Sequence, residues 1–230
     1  MKNEIYKSDE YSKMHPDWHI VDSPWKADKV TKIVNQNNIE FDSVCEIGCG
    51  VGEILVQLQT NSFKDKSFYG YEISPFAYNE AIKRENDKLK FYLKDIAEIK
   101  DNSYDLVLIM DVIEHVEDLY GFLAKIKTKG KYKVFHIPLD LSIMNLLFKK
   151  IVQRRKLSGH IHYFTRETAL ETLKDSGFEI HNWVYTNGSI EIPAKSMKQK
   201  LKKFVNLILS IIAPEFATIV FGNSVMVLAE

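Results

Sequence analysis

The residue types that could do chemistry are concentrated in one short segment, residues 44–54. An apolar strand ends in the acidic Glu46 and is followed by three glycines at alternate positions, Gly48, Gly50 and Gly52. Glycine tolerates positive φ angles and lets a ligand approach the backbone closely. The spacing therefore predicts a tight turn that leads from a strand into a helix and holds a ligand.

The loop sequence narrows the chemistry of that ligand. In the dinucleotide fingerprint G-x-G-x-x-G, amides at the start of a helix bind a pyrophosphate. Here the third glycine comes one residue early, Glu53 stands where the last glycine would be, and Glu46 is unfavourable beside a pyrophosphate. An acidic loop suits a cation, and S-adenosylmethionine carries a sulfonium and an ammonium group but no phosphate. An NAD-dependent oxidoreductase is the disfavoured alternative.

The segment resembles the first motif of the class I S-adenosylmethionine-dependent methyltransferases. The resemblance continues in order through Tyr-Gly-Tyr-Glu-Ile-Ser at 69–74, Asp-Val-Ile-Glu-His-Val at 111–116 and His-Ile-His-Tyr-Phe-Thr at 160–165. The later motifs are similar to the ubiquinone-biosynthesis-like small-molecule methyltransferase group. The resemblance implies methyl transfer to the oxygen or nitrogen of a small or lipid-linked metabolite, with S-adenosylhomocysteine as product. A nonenzymatic sensor or scaffold with the same fold is the alternative.

The resemblance also implies how the methyl donor is held. Glu72 ends the second strand, and its carboxylate can accept both ribose hydroxyl protons. Asp95 is expected to accept from the adenine amino group while Ile96 donates its backbone amide, although Asp95 capping the next turn is an alternative. The predicted cofactor-binding residues are Glu46, Gly48, Cys49, Gly50, Gly52, Glu72, Ile73, Asp95, Ile96 and Asp111.

Three histidines are candidates for catalysis, because an oxygen or amine acceptor must lose a proton and histidine titrates near neutral pH. His136 ends the fifth strand, and His160 and His162 are expected to point to the substrate side together if their segment is extended. A structural role is the alternative for each. Glu114 and His115 are expected either to begin and cap the next helix or to act chemically.

Composition bounds the remaining functions. Lysine plus arginine equals aspartate plus glutamate at 31 each, which disfavours a general nucleic-acid binder. Cys45 and Cys49 match neither C-x-x-C nor a paired zinc spacing, so no metal site is predicted. The first 22 residues have neither a signal-peptide nor a transit-peptide pattern, and a cytoplasmic location is expected.

Alternating strand and helix patterns predict a doubly wound, mostly parallel seven-stranded sheet with an antiparallel last strand, in a single domain of residues 1–230. Helices are predicted at 24–38 within an N-terminal segment 1–40, and at 53–60, 76–88, 116–127 and 166–176. Strands are predicted at 43–47, 67–72, 90–94, 104–110, 131–137, 178–185 and 224–229. Thr165 is the expected N-cap of the last of these helices, which Gly177 ends.

Two helical insertions, residues 141–157 and 192–213, fall outside the resemblance and are expected to form a substrate cap. Each combines an apolar face with a run of lysines or arginines. They are either cap helices with solvated lysines, or an amphipathic surface that contacts a membrane or an anionic lipid-linked substrate.

Overall fold

Seven strands form one sheet in the order β3-β2-β1-β4-β5-β7-β6. β1 to β5 pair in parallel, and β7 runs antiparallel to both of its neighbours, β5 and β6. The strands are β1 (Ser43–Ile47), β2 (Ser67–Glu72), β3 (Leu89–Leu93), β4 (Tyr104–Met110), β5 (Gly130–Pro138), β6 (Ile180–Thr186) and β7 (Ser224–Ala229). The predicted fold class is confirmed.

This computed structural model describes residues 20–99, 103–188 and 197–230. Residues 1–19 of the predicted N-terminal segment and residues 192–196 of the second insertion lie outside that description. The helices are α1 (Ser23–Gln36), α2 (Glu53–Asn61), α3 (Pro75–Ala81), α4 (Leu119–Lys127), α5 (Ile143–Leu147), α6 (Lys150–Leu157), α7 (Arg166–Asp175), α8 (Met197–Ile212) and α9 (Pro214–Phe221). Within the described ranges, no helix is both long and apolar enough to cross a bilayer.

The sheet is buried on both faces. Successive side chains of a strand point to opposite faces, so Val107 and Ile109 of β4 enter one core cluster while Leu106 and Leu108 enter the other. All four side chains are almost completely buried. Burial on both sides explains the nearly continuous apolar sequence of this strand, as expected for a parallel sheet covered by helices.

Two predicted helices are shorter than expected. The helix predicted at 76–88 ends at Ala81 and continues only as a 3-10 turn to Arg84, because the backbones of Asn86 and Leu89 bond to each other in a tight turn. The helix predicted from 116 begins at Leu119, because the Asp118 side chain accepts the Gly121 amide and caps it there.

The first insertion is two helices, α5 and α6, and not one. Lys149 takes a positive φ of 52° between them, which breaks the helical path. In contrast, α7 begins where the sequence predicts it. The Thr165 side chain accepts the Thr168 amide, and Gly177 follows the helix with a φ of 82°.

The strand order places the site. β1 and β4 are neighbours in the centre of the sheet, and the chain continues from them toward opposite sides. Ligands bind at such a switch point, beyond the carboxyl ends of parallel strands. The loops after β1, β2, β4 and β5 therefore meet at one edge of the sheet, beside the start of α1.

Candidate functional site

A cavity of about 780 Å³ opens at this edge of the sheet. Its walls come from α1, from the loops after the central strands, and from α5 and α6. Ten predicted site residues line it: Glu46, Gly48, Cys49, Gly50, Glu72, Ile73, Asp95, Asp111, His136 and His160. Gly52, Ile96 and His162 are not part of this wall. The fold thus gathers most of the predicted cofactor and catalytic residues around one space.

The glycine loop has the predicted positive φ angles, 67° at Gly48, 54° at Gly50 and 78° at Gly52. The Gly48 amide donates to the Tyr71 carbonyl at 2.8 Å, which anchors the turn on β2. A Cβ at Gly52 would lie 2.3 Å from the Phe91 ring, whereas one at Gly50 would meet no described atom within 4 Å. Gly52 therefore permits packing beneath the loop, and Gly50 faces open space.

Glu72 is held rigidly at the tip of β2. Its carboxylate accepts backbone amides from Gly50 at 2.8 Å, Ile73 at 2.8 Å and Ser74 at 2.7 Å. Burial raises the pKa of Glu72, and these three hydrogen bonds act in the opposite direction. The side chain is therefore fixed for a ligand with hydroxyl donors before any ligand arrives.

Glu46 is a buried carboxylate that is incompletely satisfied. Its Oε2 has no hydrogen-bond partner among the described residues. Burial raises its pKa well above the usual value, the charge of Lys26 lowers it, and Glu72 raises it further. Because an unpaired buried polar group is costly, a cationic group in the cavity would relieve this cost. The acidic cavity and the open space at Gly50 fit S-adenosylmethionine.

Asp95 and Ile96 are placed differently from each other. Asp95 lines the cavity, as expected of a residue that contacts a nucleobase. The Ile96 side chain is fully buried in the core instead, because it lies in a 3-10 turn whose apolar residue packs under the sheet. Only its backbone amide is relevant to the predicted adenine contact, which stays a prediction.

Asp111 forms the centre of a polar network. Its carboxylate receives Lys26 Nζ at 2.6 Å and lies 2.6 Å from Nδ1 of His136, whose Nε2 is 2.9 Å from the Thr186 hydroxyl. Burial raises the pKa of Asp111, but the charges of His136 and Lys26 outweigh it and hold the pKa well below the usual value. Asp111 also has a positive φ of 56°. The network fixes α1 against the tips of β4, β5 and β6.

His160 is oriented by a second carboxylate. Its Nδ1 lies 2.6 Å from Asp140 Oδ2, and Arg154 of α6 contacts the other oxygen of Asp140 at 3.1 Å. Nε2 of His160 has no hydrogen-bond partner in the part of the chain described here. An imidazole held by a carboxylate on one nitrogen and open on the other is the arrangement of an activating histidine.

Glu114 and His115 lie in the cavity wall beside His160. The His115 and His160 rings are perpendicular, with centroids 4.8 Å apart. Glu114 is fully buried, and among described residues neither carboxylate oxygen has a hydrogen-bond partner. Burial raises its pKa well above the usual value, and the charge of Asp111 raises it further. Of the two alternatives for these residues, the one in which they begin and cap the next helix is wrong, because they form a separate 3-10 turn and Asp118 caps the helix.

The prediction that His162 points the same way as His160 is also wrong. His162 lines a separate shallow depression, and its Nε2 donates to the Val116 carbonyl at 2.7 Å. The segment does not follow a regular strand, because the Ile161 and His162 amides both donate to the carbonyl oxygen of Glu114. The alternation expected of extended backbone is therefore lost.

The two cysteines are packing residues. Cys45 is completely buried in the core, and Cys49 is buried at the cavity wall. Burial raises the pKa of both thiols well above the usual value. Because the thiolate is the reactive form, neither side chain has the ionisation state of a nucleophile at neutral pH.

Three site residues were missed from the sequence. Asp140 carries a weak signal, since an acidic residue two positions past Pro138 follows the predicted end of β5. Arg154 was identified only as part of a basic run. Lys26 carries no signal, because a lysine on an amphipathic helix is usually solvated.

Comparison with known proteins agrees with this geometry. A family model described as a methyltransferase domain matches residues 18–182, more than half of the chain. Over 100 residues the chain is 27% identical to the ubiquinone biosynthesis O-methyltransferase of Rickettsia canadensis. The aligned segment covers 43% of this chain and 42% of that protein. The chain thus matches less than half the length of this curated relative.

Solved structures share the fold at low identity. A SAM dependent methyltransferase from Archaeoglobus fulgidus has a TM-score of 0.58 and 21% identity, over 88% of this chain and 93% of its own. The [4+2]-cyclase SpnF has a TM-score of 0.60 and 15% identity, over 88% of this chain and 79% of its own. Such neighbours establish the architecture, and the site must establish the reaction.

Proposed function

Because the chain belongs to the class I S-adenosylmethionine-dependent methyltransferases, we propose that it methylates a hydroxyl group of a small, partly apolar acceptor that it meets at a lipid surface. One observation carries the proposal. A single cavity is lined both by the carboxylates Glu46 and Glu72 and by the Asp140–His160 pair. Cofactor-type residues and an activating histidine therefore share one space.

Each part of the methyl donor has a matching group. Glu46, whose Oε2 has no hydrogen-bond partner among the described residues, suits the ammonium of the amino-acid portion. Glu72 suits the ribose hydroxyls, and Asp95 suits the adenine amino group. When bound, the donor supplies a methyl group already activated by the sulfonium. The protein's main task is then to align the acceptor with that methyl group.

The acceptor oxygen must also lose its proton. Nδ1 of His160 faces Asp140 and keeps its proton, which leaves the lone pair of Nε2 for the acceptor side. Both nitrogens of His136 are instead engaged, one with Asp111 and one with Thr186. His160 is therefore the residue that activates the acceptor, and His136 is a positioning residue.

Incubation with methyl-labelled S-adenosylmethionine tests the proposal. With a panel of hydroxylated aromatic compounds, matched amines and a total lipid extract, we expect labelled ether products together with S-adenosylhomocysteine. Labelled amines alone would overturn the oxygen assignment. Binding of the donor with no labelled product in any fraction would overturn the enzymatic function and favour a sensor or scaffold.

The lipid surface is proposed from four helices that pack side by side, α6 against α5, α5 against α9, and α9 against α8. They expose large apolar side chains: Leu146, Leu147, Phe148, Val152, Leu157, Phe204, Ile211, Ile212, Phe216 and Ile219. Ile212 is 75% exposed and Leu147 is 70% exposed. An apolar surface of this extent is typical of an interaction site.

The basic residues on these helices, and the position of the helices beside the cavity, favour lipid as the partner of this surface. Arg155 and Lys156 of α6, Lys200 of α8, and Lys149 between α5 and α6 are exposed. Basic residues beside an apolar face favour anionic headgroups. Asn145 of α5 and Arg154 of α6 also line the cavity. An acceptor held at this surface would therefore lie near the wall of the site.

Vesicle flotation should detect this contact. We expect binding to phosphatidylcholine vesicles that contain phosphatidylglycerol, weaker binding without it, and a decrease with salt because the attraction is partly electrostatic. The double variant Leu147→Asp/Ile211→Asp should lose binding, whereas Tyr120→Asp, which charges an exposed apolar site on α4, should keep it. Absence of wild-type binding to anionic vesicles at low salt would contradict the proposal.

A further inference from the structure

We infer that Glu114, His115 and His160 bind one divalent transition-metal ion in the wall of the cavity. Each residue offers one ligand atom, and the three atoms lie within 4.8 Å of one another. No metal was expected from the sequence, because only the two cysteines were considered as ligands. The ligand set comes from two segments that the fold brings together, so no local spacing reveals it.

The distances between the three ligand atoms can be compared with those in a tetrahedral metal site. Glu114 Oε1 and His115 Nε2 are 3.8 Å apart. Ligands bound at 2.0–2.2 Å in a tetrahedron are separated by roughly 3.4 Å. The observed spacings, 3.8 Å for this pair and up to 4.8 Å within the set, are wider than that, so the ligand atoms would have to move closer together around the ion.

The strongest observation is the state of Glu114. It is fully buried, and in the described part of the chain neither oxygen has a hydrogen-bond partner. A buried carboxylate is normally paired with a cation or coordinates a metal. The side chain instead faces the His115 imidazole, which itself stacks edge-on against His160. A cation between them would satisfy the carboxylate.

The surroundings of His160 match those of a metal-binding histidine. Such histidines donate their second ring nitrogen to a carboxylate, which fixes the tautomer and increases ligand basicity. Asp140 Oδ2 accepts this hydrogen bond from Nδ1 of His160 at 2.6 Å, and Arg154 contacts the other carboxylate oxygen of Asp140. Nε2 of His160 is thereby directed to the proposed ion, and Asp140 and Arg154 form its outer support.

The chemical types of the three ligand atoms indicate which ion the site would bind. Two imidazole nitrogens and one carboxylate suit Zn²⁺ and related first-row ions, whereas Mg²⁺ and Ca²⁺ prefer oxygen ligands. Three protein ligands leave a position open for another oxygen. Resting here on the proposed function, we assign that position to the acceptor hydroxyl, whose pKa a metal ion lowers. With the ion bound, Nε2 of His160 is a ligand and cannot also take the acceptor proton, so that proton would leave the ion-bound hydroxyl for water. Direct proton transfer to Nε2 would then apply only to the metal-free protein.

Metal binding can be measured without any acceptor. Tag-free protein treated with a chelator should bind one Zn²⁺ per chain by calorimetry, and Mg²⁺ more weakly. Glu114→Gln and His160→Ala should each lower the Zn²⁺ affinity by more than about 100-fold, and Asp140→Asn by about 10- to 100-fold, the effect typical of a lost outer-shell partner. His181→Ala removes a histidine on β6 outside the cavity and should bind as the wild type does.

Methyl-donor binding and the unfolding temperature are measured on every variant as controls for folding. No stoichiometric Zn²⁺ binding by the wild type, or equal binding by folded Glu114→Gln and His160→Ala, would overturn the metal site. Labelled methyl transfer separates this inference from the proposed function. Zn²⁺ binding without transfer would support the site and overturn the function, and full transfer by metal-free protein would overturn activation by the ion.

Discussion

Simultaneous replacement of Glu46 and Glu72 by glutamine is expected to weaken S-adenosylmethionine binding by about 100-fold or more. A hydrogen bond to a charged group contributes roughly 1.5–3 kcal/mol, and the proposed function assigns these two carboxylates to the ammonium and the ribose of the donor. Glu72 is already held by three amides, and Glu46 has an unpartnered oxygen. Calorimetry with the donor and with S-adenosylhomocysteine measures the loss.

The same variants separate lost binding from lost folding. Burial raises the pKa of Glu46, so the folded state binds a proton more tightly than the unfolded state, and ionisation of Glu46 lowers stability as the pH rises through the raised pKa. The single variant Glu46→Gln removes that ionisation, and its unfolding temperature at neutral pH should not fall. Glu80→Gln, at an exposed pair with Lys83, is the matched control and should keep full affinity.

Donor affinity should also depend on pH through Glu46. The donor's cationic groups favour the ionised carboxylate, whereas burial favours the protonated one. Wild-type affinity is therefore expected to fall as the pH is lowered, and this part of the dependence should disappear in Glu46→Gln. Unchanged affinity in the double variant, with normal unfolding, would contradict the assignment of both carboxylates.

The part of the cavity that we propose for the cofactor was predictable because its sequence signals are local. The three glycines with positive φ are contiguous with Glu46, and Glu72 ends a strand whose bounds the sequence predicts correctly. Parallel strands bring such tips together whatever else the chain contains. The residues at the ends of parallel strands can therefore be predicted to lie together from the sequence alone.

The part that we propose for the acceptor was predictable only in part, because the residues that bond to each other there are distant in sequence. Asp140 and His160 are 20 positions apart, and Lys26 and Asp111 are 85 apart. His162 has the same residue type as His160 and lies two positions away, yet it enters another depression because the backbone between them is irregular. Residue type and spacing do not predict this irregular backbone between His160 and His162.

The predicted helix boundaries are wrong where side-chain hydrogen bonds override the apolar pattern. The pattern extends from Val116 to Lys127, but the carboxylate of Asp118 captures the Gly121 amide and begins the helix at Leu119. The turn before it leaves Glu114 and His115 in the cavity wall. A displacement of three residues thus converts two expected helix-capping residues into candidate ligands.

Replacement of His160 by alanine is expected to lower kcat by about 100- to 10,000-fold, the range that positioned proton transfer contributes, with little change in donor affinity. His160 bonds to Asp140 and takes no part in the hydrogen bonds that hold Glu72. Asp140→Asn keeps the imidazole but removes its charged partner, so the loss should be smaller and in the same direction. Initial rates with a labelled donor and the best acceptor give both values.

Two further histidines provide the comparison. His162→Ala removes an imidazole from the same segment but a different depression, and kcat should stay close to the wild-type value. His136→Asn breaks the bonds that join β5 to Asp111 and Thr186, so its larger effect should be on the unfolding temperature. If folded His160→Ala turned over at the wild-type rate, the acceptor would be activated by another group, and the Asp140–His160 pair would have only a structural role.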